Sequence, residues 1–210
     1  MLRICVAVVL LALLAGCESE TTDVAPTVAS PPTLPANAAA NWGPLVSVDG
    51  VEHHPFSDAN VKAVALIFVL SDCPIANSYA PEFSRLHAEF SSRGVAMLLI
   101  HADPTLTPAA ANEHAKEYRL DCPVVVDPQQ TWVRRAGATA TPEAVVFSPA
   151  GELLYRGRID DRYAGLGKRR TEVASRDLRD ALEAVLAGKP VPQPRTEAIG
   201  CPIPTLSPGK

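Results

Sequence analysis

Apolar positions follow two rhythms along this chain. Val64-Ala65-Leu66-Ile67-Phe68-Val69-Leu70 is a short, uncharged run rich in β-branched and aromatic residues, which predicts a strand buried on both faces. Val95 to Ile100 repeats that pattern, and Cys122 to Asp127 and Ala144 to Phe147 are shorter versions of it. Between these runs the period becomes helical. Phe83, Leu86 and Phe90 lie on one face of a helix that follows Cys73. Thr107 is placed to cap an alanine-rich helix through Tyr118, and Gln129 to Ala136 predicts a short helix. Arg170 to Ala187 predicts a longer one, with Leu178, Leu182 and Val185 on its core face and Gly188 and Pro190 as its stop. Leu45 to His54 reads as a small hairpin turning at Asp49-Gly50. A second hairpin joins Ala144–Phe147 to Glu152–Tyr155 through Ser148-Pro149-Ala150-Gly151. After the first hairpin the order is β-α-β-α-β-α-β-β-α, an α/β chain.

With 210 residues and 47% hydrophobic content, the chain can bury one proper core. Its net charge of −4 and the lack of a basic stripe with interleaved aromatics argue against nucleic acid as a partner. The first residues read as an export signal: Arg3 precedes an apolar stretch, Val6 to Leu14, that is too short to span a bilayer. Leu14-Ala15-Gly16-Cys17 resembles a bacterial lipobox. Residues 1–16 are therefore expected to be a signal peptide, and Cys17 the lipid-modified start of a protein anchored on the periplasmic side of the bacterial cell envelope. The alternative is an ordinary signal peptide that ends near a cysteine. Residues 17–41 hold Pro26, Pro31, Pro32 and Pro35 among small residues and read as a flexible tether. A domain at 42–188 and a proline-rich tail at 189–210 complete the organisation.

Of five cysteines, Cys5 leaves with the signal and Cys17 carries lipid, so Cys73, Cys122 and Cys201 remain. That odd number in a disulfide-permissive compartment leaves at least one thiol unpaired. Cys73 sits where the first buried strand meets its helix, at the positive end of the helix dipole, which favours a thiolate. Ser71 or Asp72 can cap that helix and Pro74 suits its first turn, although the charge of Asp72 opposes the thiolate. A buried structural cysteine is the competing reading.

Cys73-Pro74-Ile75-Ala76 resembles a thioredoxin active site with its second cysteine replaced by Ala76. Pro81 stands where thioredoxins carry a helix-kinking proline, and Gly137-Ala138-Thr139-Ala140-Thr141-Pro142 resembles the loop ending in their cis-proline. Asp72 to Asn77 and Arg156 to Tyr163 are similar to a bacterial redoxin group related to the alkyl hydroperoxide reductase/thiol-specific antioxidant proteins. The resemblance covers roughly residues 45–187. It implies a thioredoxin-like fold: a central mixed sheet flanked by helices, with an inserted helix–strand unit. It also implies a nucleophilic Cys73, a cis Thr141-Pro142 bond beside it, and pairing of the residue before the proline with a substrate strand. The expected partner is a protein or small-molecule thiol or disulfide, with no cofactor. Leu70 and Leu66 occupy the places of the peroxiredoxin threonine or serine and proline, so peroxide reduction by that constellation is not expected. Copper-delivery proteins of this fold use two cysteines and a histidine. Ala76 and Asn77 stand where a second ligand would be, so no metal site is expected; copper binding remains an alternative, as does a redox-inactive docking domain.

The second sulfur is expected from Cys201. If the strands beginning at Val64 and Cys122 run parallel, the residues from Cys122 to Asp127 separate the sulfurs of Cys73 and Cys122 by about 16 Å, whereas a disulfide tolerates about 7 Å between α-carbons. Pro190, Pro192 and Pro194 bias the tail toward extended geometry; at about 3.1 Å per residue it reaches roughly 40 Å, enough to cross a domain about 35 to 40 Å wide. Ile199 and Ile203 are expected to dock beside the site. His53 and His54, adjacent on a strand, are expected on opposite faces and at the surface. His101 ends the second buried strand and is expected as a capped loop histidine, and His114 as part of a solvated helix face. Arg156 to Tyr163, dense in both charges, predicts either a salt-bridged surface turn or a structured loop near the site.

Overall fold

A computed structural model describes residues 42–206. The signal peptide expected at 1–16, the tether expected at 17–41 with Cys17, and residues 207–210 lie outside the described residues. A hairpin comes first, β1 (Leu45–Val46) paired with β2 (Glu52–His53). It is shorter than the pattern predicts because the Val51 carbonyl accepts from both the amide and the hydroxyl of Ser47, at 2.9 and 3.0 Å, and so closes the turn early. Then follow β3 (Ala63–Val69), α1 (Pro74–Ser78), α2 (Ala80–Ser91), β4 (Val95–His101), α3 (Pro108–Glu117), β5 (Val124–Val126) and α4 (Thr131–Ala136). The remaining elements are β6 (Ala140–Thr141), β7 (Glu143–Phe147), β8 (Leu153–Gly157), β9 (Tyr163–Gly165), β10 (Lys168–Arg169), α5 (Asp177–Leu186) and β11 (Cys201–Pro202).

The central sheet has the order β5-β4-β3-β7-β8. β3, β4 and β5 run parallel, while β7 is antiparallel to β3 and β8 to β7. This is the mixed, helix-flanked sheet of the thioredoxin-like class, with α3 and β5 extending it at one edge. β3 lies between two neighbouring strands and every residue in it is buried, which explains an apolar run without alternation. Full burial of Leu66, Ile67 and Phe68 contributes about 1.5–3 kcal/mol each. Parallel strands deliver their C-terminal ends to one edge, and Cys73 follows the end of β3 there. Cys122 lies before β5 begins, at the opposite edge, where its thiol donates to the Met97 carbonyl at 3.3 Å.

Three boundaries move from their predicted places for local reasons. The helix after Cys73 breaks at Tyr79 into α1 and α2, with Pro81 in the first turn of α2, because proline lacks the amide that an unbroken helix needs. α4 starts at Thr131 rather than Gln129, since the Asp127 carboxylate accepts from the amides of Thr131, Trp132 and Val133 at 2.8, 2.8 and 3.0 Å. α5 starts at Asp177 rather than Arg170. Lys168–Arg169 is held as a strand against β9, and the Asp161 carboxylate takes the amides of Ala174 and Ser175, so those residues have no part in a helix.

Candidate active site

The end of β3 leads through Ser71-Asp72 to Cys73, which caps α1 itself. Its backbone is extended, and its Sγ accepts from the Ala76 amide at 3.4 Å. Neither Ser71 nor Asp72 supplies the predicted cap; the sulfur occupies that place, so the positive end of the helix acts on the sulfur directly. Cys73 is fully buried, and as a thiol it donates to the Thr141 carbonyl at 3.2 Å. The Thr141-Pro142 peptide is cis, so the structure sets Cys73, Thr141 and Pro142 together.

The C-terminal segment completes the site. β11 pairs antiparallel with β6, Cys201 opposite Thr141 and Pro202 opposite Ala140. The Ile203 amide donates to the Thr139 carbonyl at 3.0 Å, and the Thr141 hydroxyl to the Cys201 carbonyl at 3.4 Å. Upstream, the Arg156 amide donates to the Pro194 carbonyl and the Thr196 amide to the Arg156 carbonyl. Downstream, Gln130 Nε2 donates to the Pro204 carbonyl at 2.5 Å. Ile203 packs against the core, but Ile199 does not. Cys73 and Cys201 therefore lie side by side as free thiols, while Cys122 is remote.

Their electrostatics differ. Burial pushes the Cys73 thiol up, but the polar groups of Cys201 and Thr141 beside it and the Ala76 amide outweigh it and hold Cys73 below the usual cysteine value. Cys201 is pushed up to about 12 by burial, by the neighbouring Cys73 sulfur and by Asp72. Cys122 is pushed up by burial alone and has only a backbone hydrogen bond to offset it, so it is an inert thiol. The pair thus sets a sulfur whose thiolate form is favoured beside a thiol that holds its proton, an arrangement suited to thiol–disulfide exchange.

Two further groups flank the helices that follow Cys73. Arg156 to Tyr163 takes the second of its two expected forms, a structured loop, in which Asp160 and Arg162 clamp the α1–α2 junction. Tyr79 Oη donates to Asp160 Oδ1 at 2.6 Å, the Arg162 amide donates to the same oxygen at 2.9 Å, and the Arg162 guanidinium lies 4.4 Å over the Tyr79 ring. Burial and then Asp160 push the Tyr79 hydroxyl well up, so it stays protonated and keeps donating. Tyr79→Phe removes one donor from a buried carboxylate and is expected to lower stability by about 1–3 kcal/mol, read as a lower urea midpoint; an unchanged midpoint would contradict the clamp. The charge density of residues 156–163 was the available signal, but its partner lies 81 positions away.

The second group is a histidine pair. His114 is buried rather than solvated, and its Nε2 donates to Asn77 Oδ1 at 2.9 Å while Asn77 Nδ2 donates to the Ser71 carbonyl at 2.8 Å. His101 is fully buried at the end of β4 rather than capped in a loop, its ring 4.9 Å from that of His114. At the other end of the sheet, His53 bonds Ser47 at 3.0 Å and the exposed His54 pairs with Glu52 at 2.9 Å. Among the described residues no three His, Cys, Asp or Glu side chains gather as a metal set, and no helix is long and apolar enough to cross a membrane.

No curated protein matches the sequence. Among solved structures, an uncharacterized conserved protein from Geobacillus kaustophilus is 26% identical with a TM-score of 0.68, over 80% of this chain and 90% of that one. A hypothetical protein from Sinorhizobium meliloti 1021 is 28% identical with a TM-score of 0.64, over 76% and 88%. MTB DsbF, solved in mixed oxidized and reduced forms, is 17% identical with a TM-score of 0.51 over 70% and 97%, and it shares the fold. The model of the AhpC/TSA family matches residues 41–156, more than half of the 210 residues. The chain belongs to the AhpC/TSA family.

Proposed function

We propose that this protein is a thiol–disulfide oxidoreductase that cycles between the free thiols and a Cys73–Cys201 disulfide. Cys73 is the nucleophile of the internal bond, Cys201 the sulfur it attacks, and Thr141 and Pro142 the strand-docking residues that seat this second sulfur. The observation that carries this reading is the Cys201–Thr141 backbone pair, which sets Cys201 on the same residue whose carbonyl accepts from the Cys73 thiol. The signal-like residues 1–16 and the lipobox-like Leu14-Ala15-Gly16-Cys17 support a reaction outside the cytoplasm of a bacterium, at a membrane surface, where structural and catalytic disulfides persist. The partner is a thiol or disulfide, and its class is taken up below.

Peptide mapping of diamide-oxidised protein against a reduced control is expected to recover a Cys73–Cys201 bridge with Cys122 still alkylatable after unfolding. A Cys73–Cys122 bridge would contradict the reading. Protein that stays fully reduced in diamide would favour a redox-inactive docking domain. Two adjacent sulfurs also suit soft Cu(I), which favours copper binding as the second reading. Tight Cu(I) uptake by the reduced protein, lost in both Cys73→Ser and Cys201→Ser and accompanied by no thiol oxidation activity, would establish it instead.

A further inference from the structure

The groove beside the cis-proline, which would seat a substrate strand, is filled by the chain's own residues. Gly200 lies so close over the Thr141-Pro142 peptide that a β-carbon there would sit 1.8 Å from the Thr141 oxygen and 2.5 Å from its carbon. Cys201, Pro202 and Ile203 continue along β6 with ladder contacts to Thr141, Ala140 and Thr139. At Gly157, with φ of 155°, a β-carbon would meet Thr196 at 2.1 Å, so the upstream part of the segment is seated as closely. Cys73 has no exposed surface under this cover, whereas Cys201 is partly exposed and lines an open cavity of about 770 Å³. Leu70, Pro104, Pro128 and Pro204 are among the apolar residues that line that cavity, and Asp72 and Asp103 give it two carboxylates.

We propose that Cys201, not Cys73, is the sulfur that exchanges with the partner, and that the partner is a small neutral or cationic thiol entering this cavity rather than a protein strand. The proposal rests on the Cys73–Cys201 disulfide of the preceding section. The partner thiolate attacks Cys201 Sγ, the Cys73–Cys201 bond breaks, and Cys73 departs with the electron pair as a thiolate. A second partner thiolate then attacks the partner sulfur of the mixed disulfide and releases Cys201 as a thiolate, which takes up a proton. Two thiols are oxidised to one disulfide and the protein disulfide is reduced to two thiols, so the electrons balance without a further oxidant. Geometry sets the direction of attack, because the buried sulfur has no room for an incoming group. The leaving-group preference agrees with it: a sulfur held by the Ala76 amide and other donors leaves as a thiolate more readily than Cys201.

The experiment uses diamide-oxidised protein, first mapped to verify the Cys73–Cys201 bridge. Limiting cysteamine is added, the reaction is quenched in acid, free thiols are alkylated and the adduct is located by mass. The expected result is cysteamine on Cys201 with Cys73 alkylated; an adduct on Cys73 overturns the proposal. Rates are then compared for cysteamine, 3-mercaptopropionate and a reduced cysteine-containing peptide of extended sequence. The cysteamine-to-mercaptopropionate rate ratio is expected to fall by about tenfold in Asp72→Asn/Asp103→Asn, the order expected for two carboxylates near a solvated site. Because the same two thiols are used on both proteins, their own reactivities cancel. An unchanged ratio, or a peptide that reacts faster than cysteamine, shows that the cavity is not the entrance. Absence of the bridge at the first step overturns the parent reading and this one together, and is thereby distinguished from an adduct on the wrong sulfur.

Discussion

Gly200→Ala is expected to lift the C-terminal segment from the site and expose Cys73 while the five-stranded core stays folded. The atoms that a new β-carbon would meet are the Thr141 oxygen and carbon and the Pro142 nitrogen, at 1.8, 2.5 and 3.2 Å. All belong to the main chain, so no side-chain rotation relieves the overlap. The segment has to leave, giving up the Ile203–Thr139 bond and the Cys201–Thr141 pairing. Each backbone hydrogen bond contributes about 0.5–1.5 kcal/mol net, so a shift of about 3 kcal/mol in the closed-to-open balance corresponds to a change of roughly a hundredfold in the exposed fraction. The measurement is the rate of iodoacetamide labelling at Cys73 in the reduced protein. That rate should rise by about two orders of magnitude over wild type, and the yield of Cys73–Cys201 bridge on oxidation should collapse. Gly43→Ala is the control, since nothing lies within 4 Å of a β-carbon there. Equal labelling rates in Gly200→Ala and wild type would show that the segment does not guard Cys73.

Whatever local sequence controls was legible before the structure. A strand buried on both faces has to be a continuous apolar run, and β3 and β4 are such runs. Thr107 caps α3 through its hydroxyl, as a threonine before a proline-led helix implies. The parallel arrangement of β3, β4 and β5 keeps Cys122 away from Cys73 for the reason given by strand length and direction. What stayed hidden depends on groups far apart in the chain. The first two turns predicted for α5 are lost to a carboxylate, Asp161, that bonds the amides of Ala174 and Ser175 across a loop. The cap of α1 is a cysteine sulfur rather than a serine or aspartate oxygen, and a residue singled out for its reactivity is not looked for as a cap.

His114 was missed for a different reason. Ala111, His114 and Tyr118 fall at helical spacing, but small alanines carry too little apolar weight to mark α3's inner face. The sequence around it is polar, and only the packing of that face against β5 and the neighbouring His101 makes it interior. The same packing links the histidine pair to the redox helix, because His114 bonds Asn77 and Asn77 bonds Ser71, one residue before Asp72-Cys73. A substitution at His114 therefore also disturbs the segment that carries Cys73, whereas His101 makes no hydrogen bond to that helix and can be tested on its own.

Acidification from pH 7 to pH 4 is expected to destabilise the protein by about 3 kcal/mol through His101 alone. Both ring nitrogens of His101 and Nδ1 of His114 are buried without a hydrogen-bond partner. Charging such a ring costs the hydration of an imidazolium with nothing in return. Burial first and the neighbouring His114 second lower His101 from 6.5 to about 4, and only Asp103 acts the other way. His114 is itself lowered by burial, opposed by Glu117. The unfolded chain takes up its proton near pH 6.5, whereas the folded chain refuses it until about pH 4. Stability from this residue is thus complete above pH 6.5, falls as pH drops through the interval, and levels off below about 4. Glu89, Asp161 and Glu183, all held low by hydrogen-bonded partners, also lose stability in acid, so the slope must be isolated by difference. Urea unfolding of wild type and His101→Leu at pH 7, 5.5 and 4 does this. The variant is expected within about 1 kcal/mol of wild type at pH 7, because it gives up no hydrogen bond, and more stable than wild type at pH 4. Parallel curves for the two proteins across the interval would assign the acid sensitivity to the carboxylates and leave His101 without a part in it.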